Sequence, residues 1–336
     1  MRTSPRPETP RPTPRTTTQS TTRTTLRPPP RTTLRPPPRA APLRAALRAT
    51  ATAAALTGAL TGVLAGCGSG GSTPPGPEVK RVPAMPVWNR SPASVAAVGD
   101  SITRGFDACA VLADCPEVSW ATGSDEDVRS LAYRLLGAPS AAEKSWNHAV
   151  TGSRMADLAD QMERAAREKP ELVTVMAGAN DACRDTPEQM TSVAAFRTSF
   201  ESAVRTLRAE APKAQVYVSS VPDLKRLWST GRGNPLGRQI WKLGLCASML
   251  GDAQDMSAEA QKRRETVYDR VVAYNGVLSE VCAKDARCRY DGGAVFDYRF
   301  TGKQLSHWDW FHPSKDGQGE LADIAYRNVT AARPPA

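Results

Sequence analysis

Four short polar turns in this sequence carry the residue types that acyl transfer needs: Gly99-Asp100-Ser101-Ile102-Thr103-Arg104-Gly105, Asn147-His148-Ala149-Val150-Thr151-Gly152, Gly178-Ala179-Asn180-Asp181 and Asp309-Trp310-Phe311-His312-Pro313. A serine hydroxyl is a poor nucleophile until a neighbouring base takes its proton. Ser101 is the candidate nucleophile and His312 the candidate base. Asp309 lies three residues before His312, so a helical turn or tight loop can bring its carboxylate to the imidazole and fix the tautomer. Each residue also has a plainer use. Gly-Asp-Ser is ordinary turn chemistry, and Ser101 would serve as a helix N-cap. Asn180 would serve as a turn residue, supported by the adjacent Asp181, and Asp100 as turn scaffolding. His307 is a second possible base but falls outside the Asp-x-x-His spacing. His148 reads as a structural residue. No Gly-x-Ser-x-Gly elbow occurs, which argues against an ordinary α/β-hydrolase.

These turns need a scaffold that delivers them to one edge. Ser94–Ser101, Leu172–Ala177 and Gln215–Val221 are short, continuous apolar runs rich in β-branched residues, as expected of strands in a parallel sheet covered on both faces. Trp146–Val150 and Ala294–Phe296 are weaker strand candidates. Helical patterns fill the gaps. Ser124 and Asp127 read as a capping box before the stripe Leu131, Leu135 and Leu136. Met155–Glu168, Val193–Glu210, Glu259–Cys282 and about Ser314–Val329 follow. The alternation predicts a doubly wound α/β sheet with its ligand site at the carboxyl ends of the strands. Residues 224–258 read as irregular. With Trp228, Trp241, Leu243, Leu245, Met249 and Leu250 they form either a lid or binding wall, or a packed excursion pinned by Cys246.

The four blocks, in this order, resemble those of the SGNH (GDSL-type) serine hydrolases. The resemblance covers roughly residues 94–330, and the nucleophile block reads GDSI in place of GDSL. It implies a single three-layer α/β/α domain of flavodoxin-like order, and a carboxylic ester hydrolase working through an acyl-enzyme with Ser101, His312 and Asp309. It assigns the oxyanion hole to the Ser101 amide, the Gly152 amide and the Asn180 side chain. Glycine at 152 lets backbone approach substrate closely. No metal or organic cofactor is implied. The expected substrate is an ester of a lipid or of an acylated small molecule or glycan. The Trp- and Leu-bearing stretch 224–258 favours acyl chains, and an extracytoplasmic address equally suits deacetylation of polysaccharide. The competing expectation is a non-catalytic cell-surface binding module on the same fold.

Charge sets further limits. The chain has 336 residues with 44 Lys+Arg against 34 Asp+Glu, a net +10, yet residues 1–48 alone hold 11 Arg and one acid. The remainder is neutral, so the folded part lacks the basic surplus that nucleic-acid binding uses. Residues 1–48 form a Pro- and Thr-rich leader with RTTLRPPP twice in tandem, a composition that cannot bury a core. Residues 49–66 are uncharged and read as the apolar region of an export signal, too short and weakly apolar to span a membrane comfortably. Leu64-Ala65-Gly66-Cys67 looks like a bacterial lipobox, which makes Cys67 the expected lipidated residue. Residues 67–92 are then a flexible tether and 93–332 the hydrolase domain. The predicted location is the extracytoplasmic face of a cell membrane, lipid-anchored, or secreted, with a monomeric domain. Arg outnumbers Lys by 34 to 10, which hints at a GC-rich, actinobacterial source. Six cysteines remain: Cys109, Cys115, Cys183, Cys246, Cys282 and Cys288. An oxidising compartment makes three disulfides the default. Cys109–Cys115 and Cys282–Cys288 suit short local loops, which leaves Cys183–Cys246. No Cys-x-x-Cys pair occurs and the three His do not cluster with Cys, so no metal site is expected.

Overall fold

The computed structural model describes residues 87–335. Five short strands, β1 (Val95–Gly99), β2 (Ser145–Asn147), β3 (Leu172–Met176), β4 (Gln215–Val218) and β5 (Cys288–Tyr290), form one sheet in the order β2-β1-β3-β4-β5. Every pairing is parallel. β1, β3 and β4 are buried at every residue, the mark of strands covered on both faces. Strand order reverses between β1 and β3. In doubly wound sheets the ligand crevice opens there, beyond the carboxyl ends. Gly99 pairs with Met176 in this register, so the chain leaves both strands side by side, into Ser101 on one and Gly178 on the other.

Among the described residues eleven α-helices connect and cover the sheet: α1 (Leu131–Leu136), α2 (Ala138–Lys144), α3 (Leu158–Arg167), α4 (Ala179–Ala182), α5 (Val193–Glu210), α6 (Leu224–Gly231), α7 (Pro235–Trp241), α8 (Ala247–Leu250), α9 (Ala258–Cys282), α10 (Ala294–Asp297) and α11 (Lys315–Thr330). α3, α5 and α9 pack side by side, while α1 packs on α2 and α11. The long helices begin at serines. The hydroxyls of Ser192, Ser257 and Ser314 accept from backbone N–H groups three residues on, which satisfies donors the helix itself cannot. Among the described residues no helix is long and apolar enough to cross a membrane. The leader, Cys67 and the tether up to residue 86 lie outside the described residues. Within the expected tether, Trp88 packs on the domain and donates from Nε1 to the Val329 carbonyl at 2.8 Å.

Three local expectations are corrected. α1 starts at Leu131, not at a Ser124–Asp127 box. Asp125 Oδ1 instead accepts from the Asp127 and Val128 amides, the chain turns at Arg129 (φ 48°), and Ser130 caps the helix. Ala294–Phe296 is helical, because the Asp291 carboxylate accepts from the Gly293 and Val295 amides and nucleates a turn; the last strand is the earlier Cys288–Tyr290. Residues 224–258 are not irregular but carry α6, α7 and α8. Three disulfides join Cys109 to Cys115, Cys183 to Cys246 and Cys282 to Cys288, the pairing that the spacing suggested.

Candidate active site

Ser101 follows β1 through a turn that only particular residues allow. Gly99 has φ 147°, and a Cβ there would lie 2.1 Å from the Met176 carbonyl oxygen. The Asp100 carboxylate accepts from the Ile102 amide at 3.0 Å, and the Arg104 amide donates to the Asp100 carbonyl at 3.1 Å. On the far side, Gln318 of α11 donates to the Ile102 carbonyl at 2.9 Å and accepts from the Trp120 amide at 2.9 Å. The turn that carries Ser101 is thus fixed from both the sheet and the last helix. Burial pushes the Asp100 carboxyl up to about 7, against the lowering effect of the Ile102 amide and of His312.

The sequence places His312 211 residues from Ser101, and the fold brings its Nε2 to 2.9 Å from Ser101 Oγ. Its Nδ1 lies 2.5 Å from Asp309 Oδ2, and Asp309 Oδ1 accepts from the Phe311 and His312 amides at 2.9 and 3.0 Å. All three side chains are buried. The loop that carries Asp309 and His312 closes on itself. The Ser306 amide donates to the His312 carbonyl at 2.7 Å, and Leu305 bridges Pro313. Burial pulls the imidazole pKa down, but Asp309, then Asp107 and Asp100, carry it above its ordinary value. Burial likewise opposes ionisation of Asp309, and the facing imidazole with two amide donors holds it below the usual carboxylate range.

The other two turns meet the same edge. Gly152 has φ 83° and is exposed. Among the described residues neither the Ser101 nor the Gly152 amide has a protein acceptor. Asn180 sits on α4, and its Nδ2 donates to the Ser153 carbonyl at 3.0 Å. A side-chain amide carries two N–H donors, so one remains for an oxyanion. Gly178, with φ 126°, starts this turn where a Cβ would press on Val221 and Phe196. Asp181 accepts from the Met155 amide at 2.8 Å and holds the turn after Gly152 against α4.

Two polar residues that the sequence did not single out complete the site. Gln161 is buried on α3. Its Oε1 accepts from the Gly99 amide at 2.8 Å, and its Nε2 donates to the Gly99 carbonyl and to Ser153 Oγ, both at 3.0 Å. It binds the strand end before Ser101 to the residue after Gly152. A glutamine among Leu158, Met162 and Ala165 on the apolar stripe of α3 was the available signal. Asp107 lies buried beside Asp309 and His312, and no spacing rule pointed to it. Of the remaining histidines, His307 is exposed and lies tilted against the Trp308 ring. His148 lies 3.8 Å from Glu168. Neither meets Ser101.

An apolar cavity adjoins the base. Ile102, Ala179, Leu224, Leu227, Leu305 and Phe311 line it beside His312. The excursion 224–258 supplies two of these and also reaches the triad, since Trp241 Nε1 donates to the Asp309 carbonyl at 2.8 Å.

A family model described as GDSL-like Lipase/Acylhydrolase matches residues 95–325. Among solved structures, the chain is similar to phospholipase A1 from Streptomyces albidoflavus NA297 at 19% identity, covering 71% of this chain and 100% of that one, with a TM-score of 0.41. It is similar to an extracellular lipase from Streptomyces rimosus at 17% identity, covering 71% and 100%, with a TM-score of 0.39. A family 3 carbohydrate esterase from Clostridium thermocellum matches at 15% identity, covering 70% and 94%, with a TM-score of 0.41. No curated protein sequence matches the chain.

Proposed function

Because the chain belongs to the GDSL-like lipase/acylhydrolase family, we propose that it is a serine esterase in which Ser101 attacks an ester carbonyl. The observation that carries this reading is the relay from Ser101 Oγ to His312 Nε2 at 2.9 Å and from His312 Nδ1 to Asp309 Oδ2 at 2.5 Å. His312 takes the hydroxyl proton as the tetrahedral intermediate forms, then gives it to the leaving alcohol. Asp309 holds the ring with Nδ1 protonated and stabilises the imidazolium. The Ser101 and Gly152 amides and the free N–H of Asn180 receive the oxyanion; loss of one such donor typically costs about 10²–10³ in turnover. Water then releases the acyl group with the proton transfers reversed.

A short or medium acyl group is the proposed substrate moiety; the apolar cavity beside His312, lined by Ile102, Ala179, Leu224, Leu227, Leu305 and Phe311, is only about 10 Å³, room for about one water, and does not by itself set acyl length. Export, lipidation at Cys67, residues 93–332 as the catalytic domain, and an actinobacterial source belong to the same proposal. Three disulfides within the described residues support the oxidising address. The test is hydrolysis of p-nitrophenyl acetate, butyrate and octanoate by the full chain beside Ser101→Ala. The parent is expected to turn over, with butyrate favoured, and the variant to retain less than about one part in 10³. An active Ser101→Ala protein would sink the assignment. Mass spectrometry of the mature N-terminus tests the anchor: a lipid-modified Cys67 start supports it, and an unmodified start elsewhere removes it.

A further inference from the structure

Asp107 has no part in the relay just described, yet it lies against it. One carboxylate oxygen each from Asp107 and Asp309 and a ring nitrogen of His312 all fall within 4.8 Å of one another, and all three residues are buried. The position is built. Asp107 has φ 57°, and its amide donates to the Ala113 carbonyl at 3.0 Å. One carboxylate oxygen, Oδ1, accepts from the Leu112 amide, and the Asp107 carbonyl accepts from Ser306 Oγ at 2.7 Å, which ties it to the loop of the base. The Cys109–Cys115 disulfide closes the loop that carries Leu112 and Ala113. Asp309 has already committed both oxygens, one to two amides and the other to the imidazole.

The charged groups facing this point are Asp309 and His312 from the C-terminal loop and, acting on His312, Asp100 from the nucleophile turn. Arg104, on the same turn, is committed to Asp114 at 3.1 Å. Among the described residues no Lys or Arg forms an ion pair with Asp107. Two carboxylates this close and this buried repel each other when both are ionised and the imidazole is neutral. They tolerate joint ionisation once the imidazole carries a proton.

We propose that Asp107 is a positioning residue of the base: packed against Asp309 and His312, its carboxylate adds a second negative charge to that of Asp309, and their joint charge sets how readily His312 takes the proton of Ser101. This rests on the triad reading above and deepens it. The balance within a turnover is closed. The proton moves from Ser101 to His312 and on to the leaving alcohol, and none is lost to either carboxylate. Burial, then the neighbouring Asp309 charge, pushes Asp107 up to about 6, against the lowering effect of the Leu112 amide. Asp107 is therefore charged in the range where His312 loses its proton, and its charge adds to that of Asp309 in favouring the imidazolium.

The test is Asp107→Asn in the full chain. Asparagine keeps an acceptor for the Leu112 amide, tolerates positive φ and presents a neutral N–H toward Asp309. With one negative charge removed beside it, His312 becomes less basic. The acid limb of kcat/KM on p-nitrophenyl butyrate is expected to move about one pH unit lower, with KM changed less than about twofold. A merely structural tie would instead lower activity evenly across pH. An unmoved acid limb overturns the proposal. Should the variant fold poorly, the unaltered protein still decides. It has three histidines, and the ¹⁵N ring resonances of His312 are expected to show two inflections between about pH 4 and 8, where its ionisation and that of Asp107 fall. A single inflection overturns the proposal. Ser101→Ala separates the two ideas, because a dead Ser101→Ala beside an unshifted Asp107→Asn leaves the triad standing without Asp107.

Discussion

Replacing Gln161 with leucine removes three buried hydrogen bonds at nearly constant volume. Gly99 ends β1 beyond the reach of β2, whose last residue is Asn147. The Gly99 amide finds its acceptor in Gln161 Oε1 at 2.8 Å, so a side chain takes the place of a missing strand residue. The Gly99 carbonyl keeps the Val150 amide at 3.1 Å after the substitution. The Gly99 amide keeps nothing, and Ser153 Oγ loses its donor. An unsatisfied buried donor costs about 1–3 kcal/mol, and each lost bond between satisfied groups about 1 kcal/mol. The total is about 3–5 kcal/mol, which in a domain of this size lowers Tm by about 6–20 °C. Activity should fall further than stability explains. Gln161 holds Ser101 and Gly152 in one frame, and a misplaced oxyanion donor or nucleophile costs up to about 10² in rate. The assay is calorimetry beside kcat and KM on p-nitrophenyl butyrate, at a temperature where the variant is folded. A loss of about 10–100-fold in kcat at similar KM is expected. A folded Gln161→Leu protein with kcat within twofold of the parent would refute the reasoning, because the two turns would then hold their geometry without the clamp.

The Cys183–Cys246 bond closes 63 residues and follows directly on the α4 turn that carries Asn180. The double variant Cys183→Ala/Cys246→Ala is expected to lose about 4 kcal/mol by chain entropy, against about 2 kcal/mol for either six-residue loop, and to lose activity as well; equal losses in urea midpoint for all three pairs would contradict this. Asp100 gives a pH signature. Its folded value of about 7 stands above its ordinary 3.8, so the stability it allows is full below pH 4 and lost as pH rises through 7, by at most about 4 kcal/mol. Urea midpoints of Asp100→Asn should therefore fall less than those of the parent between pH 5 and 8, and parallel curves would exclude the burial argument.

Much of this architecture was legible because the strands are buried on both faces and read as plain apolar runs. β1, β3 and β4 fall where Val95–Val98, Leu172–Met176 and Gln215–Val218 announce them. The site turns were legible because a parallel sheet fixes which end of each strand meets substrate. The misreadings share a cause. Asp125 and Asp291 spend their carboxylates on local amides, and such bonds compete with the patterns that helix and strand rules weigh. Gln161 and Asp107 went unseen for another reason. Each acts across the fold, on Gly99 and on Asp309, from a position whose neighbours in sequence give no hint of the contact.

The open question left by residues 224–258 was whether they move. Trp228, Trp241, Met249 and Leu250 are buried, and burial of side chains of this size is worth about 1.5–3 kcal/mol each. Trp228 Nε1 also donates to the Ala253 carbonyl at 3.0 Å, and the Arg264 guanidinium lies over its ring at 4.3 Å. Lifting the segment would expose about 6–12 kcal/mol of apolar contact, before counting the disulfide, whereas minor states that proteins visit readily lie within a few kcal/mol. The packed reading therefore prevails over the lid. Its position explains why it is fixed. Within it Cys246 is bonded to Cys183 beside the Asn180 helix, and Trp241 donates to the Asp309 carbonyl. Gly231 and Gly237 leave room for Trp241 and Trp310 where larger residues would collide. The segment connects the Asn180 side of the site to the His312 side, so a movement that opened it would disturb both.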